Sequence, residues 1–176
     1  MNPTDPLRPL LDAAREGDDR AVAELVRITQ PTVWRLCESL GSPAEPADLV
    51  QETYERALRA MHGFRGDSPV RPWLLSIARH VCADAVRRAQ RQRRLVDRIT
   101  RVAALDSVVA APDRSLDDLV DRLEDTRREA FVLTQQLGLS YEEAAAVLDC
   151  PVGTIRSRVS RARSDLLQSV RAAQAG

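Results

Sequence analysis

The sequence contains no lysine: all of its basic charge is arginine, 26 residues against 26 acids. Arginine can grip a polyanion unaided, but a GC-rich genome also favours it over lysine, so its abundance alone names no ligand. Aromatic residues are nearly missing, with two Trp, two Tyr and two Phe. Alanine, leucine and valine must then fill the interior, which favours closely packed helices over sheets. Cysteine is limited to Cys37, Cys82 and Cys150, far apart, odd in number and without a C-x-x-C or Cys/His cluster. That spacing argues against a zinc site and reads each as a small buried apolar residue. No apolar run is long enough to span a membrane. The start, M-N-P-T-D-P-L-R-P-L, lacks the basic residues and apolar stretch of a signal peptide. A soluble, cytoplasmic protein without membrane insertion is expected. A catalytic triad, a metal cluster and a glycine-rich phosphate loop are also missing, so neither enzymatic chemistry nor a cofactor or metal is expected.

What is present is charge in bands. Residues 1–62 carry 7 Arg against 11 acids, and residues 63–101 carry 10 against 3. Residues 102–149 carry 4 Arg against 11 acids, and residues 150–176 carry 5 against 1. Two separate basic segments point to two contacts with a polyanion. The acidic bands either face a basic partner or shield the basic ones in a compact free protein.

Helical periodicity dominates and no alternating strand stands out. The fold class read from this pattern is all-α, two small helical domains joined by a flexible linker. Residues 8–40 read as helical with interruptions at Gly17 and Pro31, followed by the loop G-S-P-A-E-P at 41–46. Pro46 suits the first turn of a helix near 47–61. A Gly- and Pro-rich loop at 62–72 precedes a long helix from about 72 to 94. Periodicity fades around Pro112, then helices resume near 116–136, 141–148 and 152–171. The domains expected are therefore 8–95, a linker at 96–115, and 116–172.

Near the end, S-Y-E-E-A-A-A-V-L-D is followed by C-P-V-G-T-I-R-S-R-V-S-R-A-R. Ser140 and Glu143 form a capping-box pattern, and Gly138 just before suits the end of the preceding helix. Tyr141, Ala144, Ala145 and Leu148 fall on one apolar face. Pro151 opens the next helix, whose buried stripe is Ile155, Val159, Ala162 and Leu166. Ser157, Ser160, Arg161 and Ser164 point away from that stripe, while Arg156, Arg158 and Arg163 flank it. An arginine-rich amphipathic helix is by itself an ordinary solvated helix. With the capped helix and tight turn before it, the pair reads as a helix-turn-helix that presents an Arg/Ser face to the major groove.

The helix at 47–61 buries Val50, Tyr54, Ala57, Leu58 and Met61, while Asp48, Gln51, Glu52 and Glu55 form an acidic strip. Such a strip is either solvated or a docking surface for a basic partner. The helix at 72–94 buries Leu74, Ile77, Ala78, Val81 and Ala85 and carries His80, Asp84, Arg87, Arg88 and Arg91 on another face. Phe64 and Trp73 sit beside the loop ahead of it. Rings next to a basic helix suit unstacked bases of single-stranded nucleic acid, although Trp73 equally suits a core anchor.

The stretches D-L-V-Q-E-T-Y-E-R-A (48–57), F-R-G (64–66), W-L-L-S-I-A-R-H (73–80) and D-A-V-R-R (84–88) resemble bacterial sigma factors of the extracytoplasmic-function group. Residues 139–163 resemble the C-terminal helix-turn-helix of the same group. The resemblance implies a protein that binds bacterial core RNA polymerase and directs promoter-specific initiation. It implies that Asp48, Gln51, Glu52 and Glu55 dock on the polymerase. Phe64, Arg65, Trp73, Arg79, His80, Asp84, Arg87 and Arg88 would meet the melted −10 element of promoter DNA. Thr154, Arg156, Ser157, Ser160 and Arg161 would read the −35 element. Members of that group are often held inactive by an anti-sigma factor, the further partner the resemblance implies, and no residue here identifies one. The chain departs from the group's pattern at His80, where asparagine is usual, at V-R-P-W in place of F-R-T-W, and at Ser160, where an aromatic is common. Two other readings compete: a stand-alone helix-turn-helix transcriptional regulator, and an all-helical adaptor that binds only protein.

Overall fold

The computed structural model describes residues 5–41, 43–100 and 116–174, with side chains left out at 97–100, 116–117 and 173–174. Every regular element among them is helical. Helix α1 spans Arg8–Arg15, and Gly17, with φ +91°, turns the chain into α2, Asp19–Leu40. The Asp18 carboxylate caps α2 by accepting from the backbone N–H groups of Arg20 and Ala21. The interruption expected at Pro31 does not occur; α2 runs through it. Proline removes one helical hydrogen bond. Its neighbours Thr29, Val33 and Leu36 are all buried, so tertiary packing holds the helix across the gap.

Helix α3, Pro46–Ala60, starts on its proline as expected and ends in a 3₁₀ turn, Met61–Gly63. Its buried residues are Leu49, Val50, Thr53 and Ala57, with Tyr54 half-buried. Leu58, expected inside, is exposed. The buried face is rotated so that the Thr53 hydroxyl, donating to the Leu49 carbonyl, can sit inside without an orphaned polar atom. Helix α4, Val70–Thr100, contains Pro72 in its first turn, where a missing N–H is no loss. It continues past its expected end into the first residues of the expected linker. The rest of that linker, 101–115, lies outside the described residues.

The single helix expected over 116–136 is broken in two. Helix α5, Leu116–Asp121, stops where Leu123 turns into the core. The Glu124 carboxylate then accepts from the Thr126 N–H and starts α6, Asp125–Phe131. A side chain that can cap competes with continuing the helix, and here the cap wins. A π-helical turn, Val132–Gln136, follows, and Gly138 at φ +68° ends it in a conformation that suits glycine. Helix α7, Tyr141–Leu148, carries both halves of the expected capping box. Asp149 at φ 48° makes the tight left-handed turn into α8, Val152–Gln174.

One hydrophobic core joins the two halves: Val33, Leu36, Leu75 and Val81 belong to the same buried cluster as Leu133, Val147, Ile155 and Val159. Helices α4 and α7 pack against each other across it. Polar links reinforce the contact. The Arg79 guanidinium forks onto Glu129 at 3.0 and 3.2 Å, and Arg71 donates to the Leu137 carbonyl at 2.8 Å. Cys37 and Cys82 are buried as expected, whereas Cys150 is only half-buried.

Candidate nucleic-acid interface

The helix-turn-helix is built by α7 and α8. Ile155, Val159, Ala162 and Leu166 are all buried, so the stripe read from the sequence is the one that packs. This leaves Arg156, Ser157, Ser160 and Arg161 exposed, with Thr154 half-buried beside them. Two arginines on the flanks of the stripe, Arg158 and Arg163, are engaged. Arg163 donates to Gln135 Oε1 at 2.6 Å, and Arg158 lies half-buried with its Nη1 3.9 Å from Cys150 Sγ. Among the described residues, Arg156 and Arg161 take no protein partner. Two free guanidinium groups beside two short hydroxyl side chains make a narrow face that fits a major groove.

The acidic strip of α3 is exposed at Asp48, Gln51 and Glu55. Gln51 donates to Glu55 at 3.1 Å, and Arg59 donates to the other Glu55 oxygen at 3.1 Å. Glu52 is different: its two oxygens are held by Arg56 at 2.5 Å and by Arg88, across on α4, at 3.2 Å. Partial burial pushes the Glu52 carboxyl up, but the hydrogen bonds from Arg56 and Arg88 outweigh it and hold the group below the usual carboxylate range.

On α4, Asp84 sits between Arg87 at 2.5 Å and Arg56 at 3.0 Å, and their hydrogen bonds lower its pKa. His80 is exposed, with Nδ1 2.7 Å from the Ser76 carbonyl, the geometry of a ring whose Nδ1 carries the proton and donates. Arg79 does not face solvent with its neighbours, because Glu129 of α6 occupies it. Arg65, by contrast, is 85% exposed, with only a 3.4 Å pairing to Asp67.

Phe64 is buried and packs on the half-buried Trp73, ring centroids 4.9 Å apart. The loop they stand on is pinned from α1, a role the sequence reading missed. Arg15 donates to the carbonyls of His62 at 2.7 Å and Phe64 at 3.0 Å. The Arg8 guanidinium lies 5.5 Å over the Phe64 ring, and Asp5 accepts from the Val70 N–H at 2.7 Å. These contacts link residues between 47 and 65 positions apart, and no local pattern announces them. The Arg56–Asp84 and Arg79–Glu129 pairs were missed for the same reason.

Residues 25–92 match the family described as Sigma-70 region 2, and residues 113–166 match Sigma-70, region 4. The chain is 44% identical over 163 residues to the "Probable RNA polymerase sigma-C factor" of Mycobacterium bovis, covering 88% of this chain and 86% of that protein. It is 32% identical over 170 residues to the "ECF RNA polymerase sigma-E factor" of Salmonella typhimurium, covering 88% of each. Among solved structures it resembles CnrH in complex with the cytosolic domain of CnrY, with a TM-score of 0.73 and 30% identity over 94% of this chain and 97% of that one. It also resembles the sigma factor RpoE in complex with the anti-sigma factor NepR from Bartonella quintana, with a TM-score of 0.65 and 28% identity over 85% and 96%.

Proposed function

The chain belongs to the extracytoplasmic-function RNA polymerase sigma factors, and from that premise we propose how its surfaces divide the work of initiation. As a sigma factor it binds core RNA polymerase and directs it to promoter DNA. Residues 8–95 form the unit that docks and takes the −10 element. Residues 96–115 are the linker, and residues 116–172 form the unit that reads the −35 element.

Asp48, Gln51, Glu52 and Glu55 meet a basic surface of the polymerase. Trp73 offers the exposed side of its ring to a base, with Phe64 packed at a tilt behind it as a support. Arg65, His80, Asp84, Arg87 and Arg88 line the path of the melted strand, and Arg79 joins them once Glu129 lets it go. Thr154, Arg156, Ser157, Ser160 and Arg161 face the major groove. Base stacking on an aromatic contributes roughly 1–3 kcal/mol. That offsets the few kcal/mol, roughly, of unstacking a base. The chain contributes binding energy and the polymerase the chemistry, so it is not itself an enzyme, and it works in the cytoplasm beside its polymerase. CnrH and RpoE were each solved with a bound partner, which supports an anti-sigma factor as a partner of this chain as well.

The observation that carries this reading is that one chain holds two open surfaces of opposite sign. The strip at Asp48, Gln51 and Glu55 is exposed on α3, and Arg156 and Arg161 are free on α8. The test is a pull-down of purified core polymerase followed by run-off transcription from a pool of genomic promoters. The wild-type protein should be retained and should yield new transcripts with aligned start sites. Changing Asp48 and Glu52 together to arginine should abolish retention. Full retention of that variant would remove the docking assignment.

A further inference from the structure

The polymerase-facing strip and the promoter-facing arginines are not separate in this structure. Glu52 belongs to the first and Arg88 to the second, and the two are paired at 3.2 Å across α3 and α4. Arg56 sets this up. One of its guanidinium nitrogens takes the other Glu52 oxygen at 2.5 Å, and a second takes Asp84 at 3.0 Å. Each carboxylate therefore has one oxygen on Arg56 and the other on an outward arginine, Arg88 for Glu52 and Arg87 for Asp84. Arg56 is the less exposed centre of the network, at 35%, against 58% for Arg87 and 53% for Arg88.

We propose that Glu52 is a carboxylate shared between the two surfaces. In the free protein it holds Arg88. When a basic side chain of the polymerase takes Glu52, Arg88 is released to a phosphate of the −10 strand. Arg56 is the positioning residue: by holding one oxygen it aims the other across to α4. This rests on the reading of α3 as the docking surface and of Arg88 as promoter-facing.

The same pair then opposes two binding events, and linkage makes the effect reciprocal. Whatever factor bound polymerase adds to the affinity for the phosphate, bound phosphate adds to the affinity for polymerase, and removing Arg88 relieves polymerase of the competing pair. Partly exposed ion pairs are weak, so the factor is modest, about two- to fivefold.

The test uses the full chain and two ligands, purified core polymerase and labelled oligothymidine, which reports phosphate contacts without a sequence requirement. Arg88→Gln should bind core polymerase about two- to fivefold more tightly than wild type. Glu52→Gln, without polymerase, should bind the oligothymidine more tightly by a similar factor. A change that merely loosened the fold would weaken both, and thermal melting of each variant checks for that. Unchanged or weaker polymerase binding by Arg88→Gln overturns the shared carboxylate, as does unchanged oligothymidine binding by Glu52→Gln. Asp48→Arg separates the two possible failures. If it loses polymerase binding while Arg88→Gln changes nothing, the docking surface stands and the sharing is wrong. If Asp48→Arg binds normally, the docking reading and the proposal fall together.

Discussion

Residue by residue, the arginines of this chain are sorted by what holds them. Arg163 is tied to Gln135 and Arg79 to Glu129, whereas Arg156 and Arg161 are exposed on α8. A guanidinium left free on a groove-facing helix supplies about 1–3 kcal/mol of base discrimination when it meets its base edge. Arg161→Ala should therefore lower run-off transcription from a promoter that needs its −35 element by about 5- to 150-fold. A promoter driven by its −10 element alone should be spared. The acids have a corresponding pH signature. Glu52 and Asp84 are held below their ordinary values of 4.5 and 3.8 by the arginines around them. The unfolded chain thus binds more protons than the folded one in the window below about pH 4.5. Their stabilising effect is complete above that window and is lost as the pH falls through the lowered folded values. Thermal melting should show Tm falling on acidification from about pH 4.5, with a shallower fall in Glu52→Gln and Asp84→Asn.

Among the elements, the start of α7 is the clearest case of local chemistry fixing geometry. Ser140 accepts from the Glu143 N–H at 3.1 Å, and Glu143 accepts from the Ser140 N–H at 2.8 Å. Ser140→Ala should cost about 0.5–2 kcal/mol and lower Tm, as measured by calorimetry. This element was legible because capping box, apolar stripe and proline all lie within one short window. The π turn at 132–136 was not. Nothing local distinguishes Val132 and Leu133 from ordinary helix residues, and both are fully buried, so the bulge is set by packing against the rest of the core. Helix α2 shows the opposite error: Pro31 signals a break that the buried face overrides.

For the whole molecule, the two halves share a core and an Arg79–Glu129 fork. A compact chain of 176 residues has a radius of gyration of about 16 Å. Positions −10 and −35 differ by about 25 base pairs, or about 85 Å at 3.4 Å per pair. With each half reading one element, as proposed, the packed arrangement cannot reach both, so that reading requires the halves to separate on the promoter. A fluorophore pair on α3 and α8 should show efficient transfer in the free protein and lose it when polymerase and promoter are added. Efficient transfer that persisted in a transcribing complex would contradict the need to open. What the sequence by itself determined is whatever depends on short spacing: most of the helices, the capping box, the stripe of α8 and the acidic strip of α3. Periodicity and caps act within one or two turns, so a linear reading sees them. Only the tertiary structure decided which charged groups are spent. Glu52, Arg79 and Arg88 look alike in sequence to their exposed neighbours, and what distinguishes them is a partner on another helix, brought close by burial of the apolar faces.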